Sequence, residues 1–114
     1  VVYSNAAKVS RLGVDQQVLD EHGAVSEPVA RLMAEGVRRV SGADIGVSVT
    51  GVSGPTGGSD KKPIGLTFIA VSSSTGTWCG KYIYTHDRIK NKERTAQTAL
   101  NLLRLRLLGL LEDA

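Results

Sequence analysis

The residues near the N-terminus include a tyrosine, a serine and a lysine at a spacing that suits proton transfer. Ser4 and Lys8 are four residues apart, so a helix would place them on one face, and Tyr3 stands beside them. A lysine among apolar neighbours loses its proton more readily and can act as a general base toward a serine hydroxyl. The residues alone favour a simpler interpretation, in which Ser4 caps the helix and Lys8 is exposed, because most lysines are solvated.

A glycine-rich run in the middle of the chain is the second candidate for chemistry. It reads Thr50-Gly51-Val52-Ser53-Gly54-Pro55-Thr56-Gly57-Gly58-Ser59 and follows an alternating, strand-like segment. Glycines after a strand let backbone N–H groups approach a ligand closely. The run has neither the lysine of a phosphate-binding P-loop nor the G-x-G-x-x-G spacing of dinucleotide sites. Two interpretations stay open, a ligand-binding loop and a plain connection between strands.

The other reactive side chains give weaker signals. His22 and His86 have no histidine, cysteine or carboxylate at metal-ligand spacing, so we expect no metal site. Cys79 falls in a strand-like segment, where a small core residue is the more common role. As the only cysteine, it also excludes internal disulfides and multi-cysteine metal sites.

Basic residues are concentrated toward the C-terminal end. Between Lys81 and Arg106 there are seven lysines and arginines against two acids, although the net charge of the chain is only +3. Arg88 and Lys92 fall at the predicted start of the last helix, where a cation opposes the helix dipole unless an anion lies nearby. The pattern leaves an anionic ligand and a solvated charged face as alternatives.

Length and composition limit what these groups can belong to. A chain of 114 residues with 41% hydrophobic residues is enough for one compact domain with its own core. The sequence has no apolar run of 18 or more residues and no export leader, so we expect a cytoplasmic protein with no membrane partner.

The hydrophobic pattern predicts a single α/β unit. A period of 3.6 residues predicts helices, and alternation or a short apolar run predicts strands. The predicted helices cover residues 6–12, 16–22, 27–40 and 88–111, and the predicted strands cover 45–50, 64–71 and 78–85. We expect the last two strands to form an antiparallel hairpin within a three-layer α/β/α architecture that has a mixed sheet.

The last predicted helix is apolar on two sides. We expect one stripe to face the core, made of Ala96, Ala99, Leu100, Leu103, Leu107, Leu110 and Leu111. A second stripe of Leu102, Leu105 and Leu108 would then need cover from another segment or subunit. Because the strand-like residues 1–3 open the chain abruptly, we also expect the chain to be the remainder of a longer domain.

Taken in order, the motifs of the chain resemble the CinA C-terminal domain family. The matching segments are Val2-Tyr3-Ser4-Asn5 with Lys8, Leu12-Gly13-Val14, His22-Gly23-Ala24-Val25-Ser26-Glu27, Thr50-Gly51-Val52-Ser53-Gly54-Pro55 with Gly57-Gly58, Lys62-Pro63-Ile64-Gly65, and Asp87-Arg88. Because they follow one another through the whole chain, the set is far more specific than any one motif. The resemblance changes the interpretation of Lys8 from an exposed lysine to a catalytic one.

The resemblance implies an enzyme similar to nicotinamide mononucleotide deamidase. Such enzymes hydrolyse the carboxamide of nicotinamide mononucleotide to nicotinate mononucleotide and ammonia with a serine nucleophile, and they need no metal or cofactor. By resemblance, Lys8 is the general base and Tyr3 relays or orients the proton. The residues implied in substrate binding are Thr50, Gly51, Ser53, Gly54 and Arg88. Lys92 stands where the family has a second arginine, which weakens bidentate phosphate binding there.

One family motif, the Glu-Ser-Cys-Thr-Gly-Gly run that carries the nucleophilic serine, is absent from the chain. We therefore interpret residues 1–114 as a single domain, the C-terminal two-thirds of the family's amidohydrolase domain, and expect the chain alone to be inactive. The resemblance also implies a homo-oligomer and, in some members, a fused molybdopterin-binding-like domain.

Two other functions remain as alternatives. The first is a catalytically silent domain that binds a nucleotide or a protein partner in competence or the DNA damage response. The second is nucleic-acid binding by the basic last helix. This is the weaker one, because aromatic residues make up only 4% of the chain and single-strand binding uses aromatic stacking.

Overall fold

The computed structural model describes residues 2, 4–52, 62–84 and 87–111. The helices are α1 (Asn5–Leu12), α2 (Gln16–His22), α3 (Glu27–Ser41) and α4 (Arg88–Leu107), and the strands are β1 (Gly46–Gly51), β2 (Leu66–Ser73) and β3 (Gly76–Ile83). Every predicted helix and strand is present, with its ends shifted by a few residues at most. Of the strand-like residues 1–3, Val2 is not in a strand, and Val1 and Tyr3 lie outside the described residues.

Side-chain caps fix where three of the helices begin. Ser4 accepts a hydrogen bond from the Ala7 amide at 3.0 Å at the start of α1. Asp15 and Asp87 cap α2 and α4 in the same way. Each cap satisfies an amide that the helix itself leaves without a partner, so the predicted starts are set by local chemistry.

The three strands form one sheet in the order β1-β2-β3, and both pairings are antiparallel. The α/β fold class and the β2–β3 hairpin are confirmed, but the expectation of a mixed sheet is wrong for the strands that the structure describes. The turn between Ser73 and Gly76 is too short for a parallel crossover, which needs a dozen or more residues. β1 lies on the other side of β2 and also runs antiparallel to it.

Helices cover the two faces of the sheet, as the three-layer prediction requires. Successive strand residues point to opposite faces, so Ala70 packs against Ala30 and Ala34 of α3 while Ile69 packs toward α4. Small residues let α3 lie close to the strands. A side chain on Gly46 would collide with the carbonyl oxygen of Ala34, so this position requires glycine.

A second apolar cluster holds α1 and α2 against α3. It contains Leu12, Val14 and Leu19 on one side and Val29 and Met33 of α3 on the other. Because Lys8 stands one turn before Leu12, this packing turns Lys8 inward with the same face of α1.

The sheet-facing side of α4 differs from the one predicted: Ala99 and Leu111 of the predicted core stripe pack there, but the largest contribution comes from Leu102 of the second stripe. Leu102 is only 5% exposed and packs with Ala99, Leu105 and Leu111 in the cluster that covers the sheet. Leu100 and Leu107, expected in the core, are 68% and 69% exposed. Because the two stripes are similarly apolar, the helical periodicity identifies both stripes but does not predict which one packs against the sheet. Within the described residues, no helix combines the length and the apolar character needed to cross a membrane.

Candidate functional site

A cavity of about 410 Å³ lies beside β1, where α1, the α2–α3 connection and α4 meet. Its polar lining comes from Lys8, Thr50, Thr67, Lys92 and Thr95, with the backbone of Gly51 beside them. The remaining wall is apolar and consists of Val2, Ala24, Val25, Met33, Val49 and Ala96. A mostly apolar cavity with a few convergent polar groups is typical of a small-molecule site.

Lys8 is the most unusual residue of the cavity, because it is a lysine that is only 4% exposed. Its Nζ donates a hydrogen bond to the Val2 carbonyl oxygen at 3.3 Å. Burial lowers the pKa of Lys8 from its ordinary value of 10.5, since desolvation penalises the charged amine. The interpretation of an exposed lysine is therefore wrong, and the direction of the pKa shift is the one that a general base requires.

Ser4 does not share the surroundings of Lys8. The helical spacing of the two residues is as predicted, but the Ser4 side chain is exposed and its oxygen accepts the Ala7 amide. Ser4 is not part of the cavity lining, and no other serine among the described residues is. The capping role of Ser4 is confirmed.

Thr50 is buried at the end of β1, and its hydroxyl is already in use. Thr50 Oγ1 donates to the Ala24 carbonyl oxygen at 2.8 Å, which ties β1 to the α2–α3 connection. With its proton committed, the hydroxyl can offer only lone pairs to a molecule in the cavity. Thr50 thus holds the backbone of Ala24 in place at the cavity wall. Toward the cavity interior, its oxygen can accept a hydrogen bond.

A second hydrogen bond joins the residue that follows segment 53–61 to the end of α2. Lys62 Nζ donates to the His22 carbonyl oxygen at 2.6 Å, at the C-terminal end of α2. A cation is favourable there, because the last carbonyls of a helix carry partial negative charge. His22 is itself exposed, and its backbone rather than its ring makes this contact.

The first turns of α4 supply the basic side of the cavity. Lys92 lines the cavity, and Thr95 and Ala96 follow it at the three- and four-residue spacing of one helix face. Arg88, one turn earlier, is exposed and is not among the lining residues. The structure thus brings Lys8, Thr50, Gly51 and Lys92 together and leaves Arg88 at the start of the helix.

Several expected site residues lie outside the described part of the chain. They are Tyr3, Ser53 and Gly54, together with the rest of the glycine-rich run up to Lys61. Ala24 and Val25 belong to a segment that matches the family, but no pattern indicated that they or Met33 line a cavity, because apolar residues near a helix connection look the same whether or not a cavity lies behind them. Thr95 and Ala96 could have been found from their helical spacing to Lys92.

Metal and thiol chemistry find no support in the same region. Among residues 2, 4–52, 62–84 and 87–111, no three histidine, cysteine or acidic side chains are grouped to hold a metal ion. Burial raises the pKa of Cys79 to about 11, with nearby Glu27 adding to the shift and Arg31 opposing it. Such a thiol is almost entirely protonated at neutral pH, which favours the core role predicted for Cys79.

Comparisons with known proteins agree with the motif-based resemblance. A sequence model of the CinA C-terminal domain matches residues 1–107. A CinA-like protein of Syntrophus aciditrophicus is 51% identical over 105 residues, which is 91% of this chain and 25% of that protein. A putative competence-damage inducible protein of Caldicellulosiruptor bescii is 46% identical over 95% of this chain and 26% of its own length. The chain thus spans about a quarter of the length of these curated relatives.

Solved structures show the same similarity in three dimensions. The competence damage-inducible protein A of Klebsiella pneumoniae superposes with a TM-score of 0.89 at 31% identity, covering 95% of this chain and 67% of that one. The competence/damage inducible protein CihA of Agrobacterium tumefaciens gives a TM-score of 0.84 at 38% identity, covering 89% and 62%. At these identities the likeness extends beyond the general architecture.

Proposed function

Because the chain belongs to the CinA C-terminal domain family, we propose that its cavity is the substrate site of a nicotinamide-nucleotide amidohydrolase. The reaction converts nicotinamide mononucleotide and water to nicotinate mononucleotide and ammonia. The observation that carries the proposal is Lys8, a buried lysine with a lowered pKa at the wall of a cavity of about 410 Å³. Burying a lysine amine costs free energy, and a lowered pKa of this kind is typical of functional sites. A role as the base of an acyl transfer would account for the burial.

In this proposal Lys8 handles the proton of a serine nucleophile. The neutral amine takes the hydroxyl proton while the serine oxygen bonds to the carboxamide carbon. Lys8 then returns the proton to the nitrogen, the C–N bond breaks, and ammonia leaves an acyl-serine. Water, deprotonated by the same amine, hydrolyses the ester and releases the carboxylate. No described serine lines the cavity, so the nucleophile comes from outside the described residues.

The other cavity residues orient the substrate. Thr50, with its proton held by Ala24, accepts from the N–H₂ of the carboxamide and so distinguishes an amide from the product carboxylate. Backbone groups at Gly51, where no side chain intervenes, face the developing oxyanion. Lys92 supplies positive charge for the nucleotide phosphate. Arg88, one turn away, adds a second positive charge at the exposed start of α4.

Ammonia release by the intact protein that contains this domain tests the proposal. We expect Lys8→Met to lower kcat for nicotinamide mononucleotide by about 10²–10⁴-fold, the usual contribution of a general base. Met retains the length of the side chain, so the fold should be kept. Lys90→Met, which changes an exposed lysine of α4, is the matched control and should leave kcat unchanged. Turnover by Lys8→Met near the unmodified rate would remove Lys8 from the mechanism, and nucleotide binding without any turnover would favour a catalytically silent domain.

A further inference from the structure

Two threonines of the cavity wall besides Thr50 have a hydroxyl proton that is already committed. Thr67 Oγ1 donates to the Gly65 carbonyl oxygen at 3.2 Å, and Thr95 Oγ1 donates to the Asn91 carbonyl oxygen at 2.7 Å. A hydroxyl group has one proton and two lone pairs, so these two oxygens can only accept a hydrogen bond from a molecule in the cavity. Both therefore favour ligand groups that carry an N–H or an O–H.

Thr67 lies on the α4 side of the sheet, across from Gly51. Strand residues two apart share a face, so Thr67 points the same way as Ile69, which packs toward α4. Gly51 is the partner of Thr67 in the β1–β2 pairing, and a Cβ at position 51 would stand 2.8 Å from Thr67 Oγ1. The glycine thus leaves room for the hydroxyl oxygen at the cavity wall, which both residues line.

The cavity passes around the end of β1, from the α3 side of the sheet to the α4 side. Thr50 points to the α3 side, because its partner in the pairing, Phe68, packs against α3. Lys8 approaches from the same side, since α1 packs on α3. Lys92 belongs to α4 and lines the cavity from the other side. A ligand that contacts both lysines therefore passes the end of β1 at Gly51.

The wall of the cavity is free of acids among the lining residues that the structure describes. In dinucleotide-binding folds, a carboxylate accepts the hydrogen bond of a ribose hydroxyl. A carboxylate close to Lys92 would also repel a phosphate bound there. A threonine oxygen whose proton is committed accepts the same hydrogen bond without that repulsion. The wall near Thr67 and Thr95 thus suits a sugar whose hydroxyls lie close to a phosphate.

We propose that Thr67 and Thr95 accept hydrogen bonds from the ribose hydroxyls of the nucleotide and make the cavity selective for ribonucleotides. This inference rests on the amidohydrolase proposal for the identity of the ligand. The carboxamide lies at Lys8 and Thr50 and the phosphate at Lys92, so the ribose that joins them lies at the end of β1, beside Thr67. Thr95 follows Lys92 on the same face of α4 and approaches the sugar from the helix.

The 2′,3′-dideoxy analogue of nicotinamide mononucleotide tests the inference, because it lacks both sugar hydroxyls. Ammonia release by the intact protein that contains this domain gives kcat/KM for each nucleotide. We expect the unmodified protein to prefer the ribonucleotide by at least about tenfold, and Thr67→Val and Thr95→Val each to lower that ratio by about fivefold. Thr67→Ser and Thr95→Ser keep the hydroxyl oxygen and should keep the ratio.

Thr98→Val is the matched control. Thr98 makes the same kind of bond on the same helix, to the Arg94 carbonyl oxygen at 2.8 Å, but it does not line the cavity. We expect the ratio to be unchanged in this variant. A valine substitution that only weakens the fold or shifts α4 lowers kcat/KM for both nucleotides alike, so the ratio separates recognition of the sugar from a structural role.

Binding without turnover separates this inference from the amidohydrolase proposal. Isothermal titration of Lys8→Met, alone and combined with Thr67→Val, gives the relative affinities of the two nucleotides. If the unmodified protein releases no ammonia but the affinities show a preference that Thr67→Val reduces, the amidohydrolase proposal fails and the selectivity for ribose stands. Equal values for the two nucleotides in the unmodified protein, a ratio that neither valine substitution changes, or no binding of either nucleotide would overturn the inference.

Discussion

At the scale of single residues, Lys8 is a lysine whose side chain is held in a buried position. It occupies a buried position on α1 where an apolar residue of similar length would cost less. Its folded-state pKa lies below 10.5, so between these two values the unfolded chain binds a proton that the folded chain does not. Stability therefore rises with pH through this interval, and the cost of burying the charged amine is fully present below the folded pKa.

Replacing Lys8 with Met should stabilise the fold near neutral pH. We expect the free energy of unfolding to increase on the order of 1 kcal/mol, because an amine that is costly to bury is exchanged for an apolar group of similar length. The rise in stability from about pH 7 to about pH 10.5 should be smaller in the variant. Urea denaturation at several pH values measures both effects. A variant that is less stable than the unmodified chain, with the same pH dependence, would show that the amine is well accommodated as a cation.

Thr50 gives a separate prediction about the wall of the cavity. Thr50→Val keeps the shape but leaves the Ala24 carbonyl oxygen without its donor, so we expect a loss of about 1–2 kcal/mol in stability. Thr50→Ser keeps the hydroxyl and should lose less. Hydrogen exchange of the Ala24 and Val25 amides should be faster in the valine variant alone. Equal exchange in both variants would mean that the bond does not hold the connection in place.

At the scale of elements, the close approach of α3 and β1 depends on a single glycine. Gly46→Ala would place a Cβ against the Ala34 carbonyl oxygen, and backbone cannot move aside as a flexible side chain can. We expect a loss of about 1–3 kcal/mol, the range for overpacked cores, and a lower melting temperature. Ala43→Val adds volume at an exposed position nearby and serves as the control. A melting temperature for Gly46→Ala equal to that of the control would contradict the contact.

The elements themselves could be predicted because their signals are local. Ser4, Asp15 and Asp87 mark helix starts by their own hydrogen bonds, and the alternation in β1 needs no knowledge of its neighbours. The facing of α4 could not be predicted, since Leu102 and Leu100 are chemically alike and lie on opposite sides of one helix. Only the shape of the sheet decides between them.

At the scale of the whole molecule, the cavity joins residues that are far apart in the sequence. Lys8 and Lys92 line the same space, and no pattern within either segment indicates the other. Burial of a lysine is a tertiary property, so the residues alone favoured an exposed Lys8 and only the family resemblance corrected it. Tyr3, Ser53 and Gly54 stay predictions, because they lie outside the described residues.

The composition of the described cavity wall predicts the behaviour of the chain in isolation. With a base but no serine in that wall, the purified 114-residue chain should release no ammonia from nicotinamide mononucleotide above background. An enzyme-coupled ammonia assay measures this. Activity that disappears in Ser53→Ala and persists in Ser4→Ala would instead identify Ser53 as the nucleophile of this chain.

The bonds from Thr50 to Ala24 and from Lys62 to His22 have a consequence for how this chain can change in evolution. At the two ends of the stretch from Thr50 to Lys62, Thr50 is bonded to the α2–α3 connection and Lys62 to the last residue of α2, two residues earlier, each by its own hydrogen bond. The separation of the two ends is therefore independent of the number of residues between them. Loop-closure entropy grows only logarithmically, by about 0.6 kcal/mol for each doubling of length. Insertions and deletions between these two anchors should therefore cost the fold little stability, and the positions of Lys8 and Lys92 should not depend on the length of this interval.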